Sequence, residues 1–255
     1  MNHFNFGKNW QAYSKNALNV TKLDASKADL ERLVGLDKIK GKTFLDIGSG
    51  SGIHAIAAKT LGAEKVVGFD ISAESIQAAQ GNADRFNNQG NITFYRHSIL
   101  SDAYKKFGTF DIVYSWGVLH HTGDMWRAIH NSMDLVNKNG LFVIAIYNKH
   151  WSSPAWRLIK YIYNVVPKLI KKVMIFFFYW IILVAKFLVT FKNPFRKKRG
   201  MNFYYDVIDW VGGYPYEYAS KSEIGNFFNK KSFTLIKYLK PQAPTGCGEF
   251  VFQKQ

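Results

Sequence analysis

Short apolar runs alternate with amphipathic stretches through the first 150 residues. The runs at 43–47, 65–69, 110–114 and 141–147 are almost continuously apolar, as strands covered on both faces of a parallel sheet are. Residues 91–96 alternate between apolar and polar and form a third strand in chain order. Helical spacing fills the gaps, and Ser72 is placed to cap the helix at 72–88. The pattern predicts an α/β fold built on a parallel sheet.

The remaining elements of this fold come late in the chain. A helix is predicted at 220–228, followed by strands at 233–239 and 249–253, and another helix at 11–36, with a cap-like start at Asp24. We therefore predict a Rossmann-like, doubly wound seven-stranded sheet with a long helical insertion between the fifth strand and the last helix. The expected parts are an N-terminal helical cap at 1–40, one domain formed by 41–150 and 218–255, and an insertion at 151–217.

The first strand ends in a glycine-rich turn that carries the strongest functional signal. Gly48, Gly50 and Gly52 occupy alternate positions, and a helical pattern follows directly. Glycines allow the backbone to approach a ligand and to adopt positive φ. Asp46, just before the turn, would repel a pyrophosphate but would attract an amino group or a sulfonium. Asp70 ends the second strand, where a carboxylate can bind ribose hydroxyls.

These segments resemble the class I S-adenosylmethionine-dependent methyltransferases. The resembling stretches are 45–52, 67–72, 110–113 and 135–141. The resemblance implies S-adenosylmethionine (SAM) as cofactor and a site at the carboxyl edge of the sheet. In the family, an acid that receives the adenine amino group often stands where this chain has a serine, and the exit of the fourth strand faces the cofactor. The implied cofactor residues are Asp46, Gly48, Ser49, Gly50, Gly52, Asp70, Ile71, Ser98, Ser115 and Trp116. The helix at 11–36 is expected to cover the cofactor, with Tyr13 within reach of it.

Two histidines follow the fourth strand. A neutral imidazole can remove a hydroxyl proton near neutral pH, so His120 or His121 is a candidate catalytic base. The alternative is that one stacks in the core and the other caps the next helix. No metal site is expected, because adjacent histidines diverge and only Asp124 lies nearby. The single cysteine, Cys247, excludes an internal disulfide.

The net charge of +16 is concentrated in one segment. Between Leu135 and Tyr205 there are 13 lysines and arginines and no acidic residue. The same segment contains 173–191, in which Lys186 is the only charged residue, long enough for about 28 Å of helix. A membrane span would separate strands of one sheet, so we predict a helix lying in an anionic membrane surface. Basic residues flank it on both sides: Lys168, Lys171 and Lys172, then Lys192, Arg196, Lys197, Lys198 and Arg199. The alternatives are a protein-covered lid, a dimer arm or a true span.

The segment 209–218 re-enters the sheet directly after the insertion. Paired glycines and Pro215 predict an irregular turn at the edge where the substrate must bind. We interpret it as the acceptor-side wall, and a purely structural turn is the alternative. Its candidate substrate residues are Asp209, Trp210, Tyr214, Tyr216 and Glu217.

The expected function is O-methylation of a membrane-borne or lipid-linked small molecule or glycan precursor. Between its fourth and fifth strands the chain is similar to the ubiquinone-biosynthesis O-methyltransferases, which implies a polyprenylated acceptor. Alternatives are an RNA methyltransferase, a soluble-metabolite methyltransferase with a helical lid, and a non-catalytic cofactor-binding regulator. Nucleic acid is disfavoured because the basic residues flank an apolar run. The first residues lack a signal-peptide pattern, so we expect a cytoplasmic protein, peripheral on the inner face of the membrane.

Overall fold

A computed structural model describes residues 4–86, 90–190 and 202–255. The strands are β1 Thr43–Ile47, β2 Lys65–Asp70, β3 Ile92–Arg96, β4 Phe110–Trp116, β5 Val136–Tyr147, β6 Phe233–Leu239 and β7 Cys247–Lys254. The helices are α1 Phe6–Asn16, α2 Val20–Leu33, α3 Ile53–Thr60, α4 Ala73–Arg85, α5 Met125–Asp134, α6 Ser153–Val165, α7 Lys168–Thr190, α8 Phe203–Gly212 and α9 Lys221–Asn229.

The seven strands form one sheet in the order β3-β2-β1-β4-β5-β7-β6. Strands β1 to β5 are parallel, and β7 is inserted antiparallel between β5 and β6. Helices α2, α3 and α4 bury one face of the sheet, and α5 and α9 bury the other. The predicted doubly wound sheet is therefore confirmed. Because β1 pairs with β2 on one side and β4 on the other, the strand order reverses beside β1, where such folds bind ligands.

Several predicted element boundaries were wrong. The helix predicted at 11–36 is two helices, α1 and α2, and the side chain of Asn19 caps α2 by accepting from the backbone N–H of Lys22. The start predicted at Asp24 is therefore four residues inside α2. The fifth strand begins at Val136, which pairs with Phe110 of β4, and after a shift in register the pairing resumes at Leu141 with Ile112. Asp209 and Trp210 lie in α8, so the irregular turn begins only at Gly213.

The insertion folds as three helices against each other. Residues Tyr163, Ile175, Phe203, Val207 and Val211 form its small core. Pro167 separates α6 from α7, since proline interrupts a helix. On α6 the apolar Ile162 is exposed, whereas Lys160 is completely buried. The basic residues 192–199 predicted to flank α7 lie outside the described residues, and no described helix combines the length and the apolarity needed to cross a membrane.

Candidate functional site

The loop after β1 forms a concave stretch of backbone, called the cradle below, whose glycines leave no room for side chains. Gly48, Gly50 and Gly52 all have positive φ, of 74°, 53° and 74°. A Cβ on Gly48 would lie 2.4 Å from Cγ1 of Val118, which belongs to the loop after β4. The loop is therefore held closely against its neighbours, with its amide groups at the start of α3.

We expect Gly52→Ala to destabilise the fold by about 2 kcal/mol, since the added Cβ meets Cβ of Ala79 at 2.8 Å in a left-handed backbone conformation. The matched control is Gly81→Ala, where a Cβ has open space inside α4. That change should be neutral or stabilise by up to about 1 kcal/mol. Denaturant unfolding of both variants measures the difference, and equal effects would contradict the packing of this loop.

Two carboxylates flank the loop, Asp46 buried and Asp70 partly buried. Asp70 accepts hydrogen bonds from the backbone N–H of Gly50 at 3.1 Å and of Ser72 at 2.9 Å, which fixes its orientation at the end of β2. Asp46 is 4% exposed and accepts from the backbone N–H of Ala55. Burial, together with the charge of Asp70, raises the pKa of Asp46 to about 7. A cationic ligand would offset this cost by favouring the ionised form.

Helix α1 covers the glycine loop. A Cβ on Gly50 would lie 2.9 Å from Cε2 of Trp10, and one on Gly7 would lie 1.9 Å from Oγ of Ser72. The expected cover is therefore formed by α1, with Trp10 as its contact to the loop. Tyr13 instead packs edge-on against Trp10 and Tyr205 in the core. Sequence reasoning missed Trp10 because an aromatic on an amphipathic helix is most often a packing residue.

These residues fit SAM. The cradle offers backbone close to the ligand, and two carboxylates stand where a cation and a ribose would be held. The hydroxyls of Ser49 and Ser51 are buried beside the cradle and have no hydrogen-bond partner among the described residues. A bound ligand would satisfy such groups.

The other predicted cofactor residues have diverse surroundings. The hydroxyl of Ser115 donates to the carbonyl of Ile47 at 3.1 Å, and the indole N–H of Trp116 donates to Glu249 at 2.8 Å. The hydroxyl of Ser98 accepts from the backbone N–H of Leu100, while the Ile71 side chain is exposed beside Asp70. Contacts of these four residues with the cofactor stay predictions.

Both histidines pack against Tyr147 at the end of β5, His120 buried and His121 partly buried. The His120 and Tyr147 rings are 4.1 Å apart, and Nδ1 of His121 donates to the carbonyl of Pro215 at 2.6 Å. Burial, together with the charge of Lys160, lowers the pKa of His120 well below its usual range and that of His121 to about 3. Both rings are therefore neutral at physiological pH and accept protons poorly.

The predicted acceptor-side wall divides into two parts. Asp209, Trp210 and Tyr216 are arranged around the side chain of Lys160. Glu217 instead accepts from the backbone N–H groups of Gly123 and Met125, at 3.0 and 3.1 Å, and so caps the start of α5. Tyr214 packs against the ring of Tyr161 at 5.7 Å, on the outer side of α6. A substrate role for these five residues stays a prediction.

Lys160 is the functional candidate that the sequence did not indicate. Its ammonium nitrogen donates to the carbonyl of Trp210 and lies 4.9 Å from the ring centre of Tyr216 and 5.4 Å from that of Tyr147. A lysine on an amphipathic helix normally points to solvent, so nothing in its neighbourhood in sequence signals burial. No group of His, Cys, Asp or Glu that could hold a metal occurs within the described part of the chain.

The comparisons with known proteins agree with this geometry. Residues 21–235 match a family model described as a methyltransferase domain. Among curated relatives, the ribosomal protein L11 methyltransferase of Photobacterium profundum is 59% identical over 56 residues, which are 22% of this chain and 19% of that protein. The corresponding enzyme of Salmonella arizonae is 46% identical over 76 residues, 30% of this chain and 26% of that protein. The chain thus spans about a fifth to a quarter of the length of these relatives.

Solved structures share the fold over nearly the whole chain. Magnesium protoporphyrin IX methyltransferase from Synechocystis PCC 6803, solved with bound SAH, has a TM-score of 0.60 at 16% identity and covers 97% of this chain and 94% of that one. An O-methyltransferase family protein from Burkholderia thailandensis has a TM-score of 0.59 at 12% identity and covers 96% of this chain and 59% of that one. The family match includes the insertion, and the chain therefore belongs to the methyltransferase-domain family.

Proposed function

We propose that this enzyme methylates a hydroxyl group of a membrane-borne or lipid-linked acceptor while bound to an anionic membrane through α7. The observation that supports the proposal is an exposed apolar stripe along α7. It consists of Leu169, Val173, Phe176, Phe177, Trp180, Val184, Phe187 and Leu188, each of them more than half exposed.

The stripe follows the spacing of a single helix face. Most successive members are three or four residues apart and so lie one above another on α7, and the adjacent pairs Phe176 with Phe177 and Phe187 with Leu188 widen this face. Ile175, Phe178 and Tyr179 lie on the opposite face, which packs in the core of the insertion. An apolar stripe of this length is costly to leave in water, and such patches mark interaction sites.

Charge favours an anionic membrane as the occupant of this face. Lys168, Lys171 and Lys172 belong to the first turns of α7, and the chain has no acidic residue between Leu135 and Tyr205. Each basic group near an anionic surface contributes about 1 kcal/mol, and each large apolar side chain that becomes buried contributes roughly 1.5–3 kcal/mol. Binding should therefore need both the stripe and the charges.

In this proposal each part of the chain has its own role. Residues 41–150 and 218–255 form the SAM-binding domain, 1–40 cover the cofactor, and 151–217 supply the membrane face and the acceptor-side wall.

SAM provides an electrophilic methyl group. Asp46 would hold the cationic end of the cofactor, and Asp70 would hold its ribose. The glycines of the cradle would let the protein backbone approach the cofactor closely. The aromatic wall excludes water and orients a sugar or aromatic hydroxyl for in-line transfer. The sequence predicts His120 or His121 as the base for the hydroxyl proton, although burial makes both rings weak proton acceptors.

A flotation assay tests the membrane part. We expect the protein to float with vesicles that contain phosphatidylglycerol, and to float less on neutral phosphatidylcholine vesicles or in high salt. The double variant Phe177→Asp with Trp180→Asp should abolish flotation, since it places two charges in the stripe. The matched control replaces two exposed apolar residues outside the insertion, Val20→Asp with Tyr95→Asp, and should float normally. Failure of the native protein to float on anionic vesicles would refute membrane docking and leave α7 as a lid or dimer arm.

Labelling with radioactive SAM tests the acceptor. Membrane extract, cellular protein and RNA are each incubated with the enzyme and the labelled cofactor. The proposal expects label in the lipid-soluble fraction of the membrane extract. Label in ribosomal protein or in RNA would overturn it in favour of a macromolecular acceptor, and ribosomal protein is the acceptor that the ribosomal protein L11 methyltransferases are named for.

A further inference from the structure

We propose that Lys160, rather than either histidine, is the general base that removes the acceptor's hydroxyl proton, an inference that rests on the proposed O-methylation. Lys160 belongs to α6 of the insertion, and its side chain reaches the wall beside Tyr147, at the carboxyl end of β5. It is the one lysine of the described residues that is fully buried.

The groups around Lys160 fix the position of its amine but include no carboxylate paired with it among the described residues. The amine donates to the carbonyl of Trp210, and three aromatic rings, those of Tyr147, Trp210 and Tyr216, have their centres between 4.9 and 5.7 Å from Nζ. No carboxylate forms an ion pair with Lys160 among the described residues. A neutral amine that donates one hydrogen bond keeps a lone pair, and that lone pair can accept a proton.

The titratable groups around Lys160 come from five elements. They are Asp209 on α8, Cys247 on β7, His120 and His121 after β4, Tyr147 on β5, and Tyr216 after α8. Burial lowers the pKa of Lys160 to about 7, while the charges of Cys247 and Asp209 act in the opposite direction. Burial also raises the pKa of Asp209 to about 8, against the opposing effect of Lys160, and so weakens the charge that this carboxyl presents to Lys160 at neutral pH.

The histidines are less suited to the task. Nδ1 of His121 is occupied by the carbonyl of Pro215, and Nδ1 of His120 lies 3.4 Å from the backbone N–H of Tyr147. With a pKa of about 3, the imidazole of His121 is a weak proton acceptor at neutral pH. A base is most effective when its pKa lies near the working pH. In this assignment His120 and His121 shape the wall, and Lys160 acts on the proton.

The proton balance of the step is simple. The acceptor hydroxyl loses its proton to Nζ of Lys160 as its oxygen bonds to the methyl carbon, and the electron pair of the broken carbon–sulfur bond stays on sulfur. The thioether product is neutral. Lys160 returns its proton to water once the methylated product has left.

The test uses membrane extract as acceptor source and labelled SAM at saturating concentration, so that titration of Asp46 does not affect the rate. We expect native activity to rise tenfold per pH unit below about pH 7 and to level off above it. Lys160→Met and Lys160→Arg should each lose about 100- to 10,000-fold in turnover, because arginine retains the charge but not the basicity. Both should still bind S-adenosylhomocysteine, and Lys221→Met, which removes a lysine over the ring of Tyr238, should be fully active.

A second measurement does not depend on activity. NMR of protein labelled with ¹⁵N-lysine should show one Nζ resonance that titrates near neutral pH, and this resonance should be absent in Lys160→Arg. A Lys160 variant with more than a tenth of native activity, or with an unchanged pH profile, would overturn the assignment, as would an Nζ that remains charged through neutral pH. Absence of lipid labelling by the native enzyme would instead refute the proposed function, so the two failures are distinguishable.

Discussion

Replacement of Asp70 by alanine is expected to weaken S-adenosylhomocysteine binding about 100-fold or more. The Asp70 carboxylate stands at the end of β2, oriented by the backbone N–H groups of Gly50 and Ser72. Two ribose hydroxyls bound by a carboxylate contribute about 1.5–3 kcal/mol each, and their loss is not recovered elsewhere in the site. Isothermal titration calorimetry measures the change.

Two further variants separate ligand contact from loop structure. Asp70→Asn keeps an oxygen for the loop amides but loses the charge, so it should bind S-adenosylhomocysteine better than Asp70→Ala and worse than the native protein. Asp102→Ala removes an acid whose side chain is 96% exposed and should bind normally. Native affinity in Asp70→Ala would mean that the ribose lies elsewhere and that the assignment of this edge of the sheet is wrong.

Asp46 is expected to make cofactor binding depend on pH. Burial, with the charge of Asp70, raises the pKa of Asp46 to about 7, so the carboxyl is protonated below that pH in the free enzyme. A cationic ligand binds the ionised form, and binding must therefore release a proton at low pH. SAM affinity should be constant above about pH 7 and should fall up to tenfold per pH unit below it. Asp46→Asn should bind weakly at every pH and lose this dependence.

The same carboxyl should reduce the stability of the free protein. Its folded pKa lies above the unfolded value, so the folded state binds the proton more tightly and stability falls as pH rises from about 4 to about 7. Asp46→Asn removes this cost, which amounts to a few kcal/mol above about pH 7, and should raise the melting temperature there. Asp102→Asn, at an exposed site, should not. A lower melting temperature in Asp46→Asn at alkaline pH would contradict a destabilising carboxylate at this position.

The predictions for Asp70 and Asp46 concern the cofactor side of the site, which is the part that local sequence predicts best. Local sequence predicts these groups because each lies next to the strand that positions it. The glycines of the cradle follow β1 directly, and Asp46 and Asp70 lie at the ends of β1 and β2. The apolar runs also predicted the sheet, since a strand buried on both faces must be apolar throughout. Element ends were less predictable. The break between α1 and α2 depends on the cap at Asn19, and the early start of β5 depends on pairing with β4.

The acceptor side depended on tertiary structure. Five elements distant in sequence meet at Lys160, and only their packing turns an ordinary helix lysine into a buried amine beside Trp210 and Tyr216. Glu217 accepts a hydrogen bond at the start of α5, and Trp116 donates one to Glu249. Spacing along the chain could indicate neither contact. The sequence alone therefore determined the sheet, the cofactor cradle and the concentration of charge and apolarity in the insertion, because these follow from local pattern. Which groups are buried together, and hence which can hold or move a proton, was decided by the fold, because desolvation depends on neighbours that the chain brings from far away.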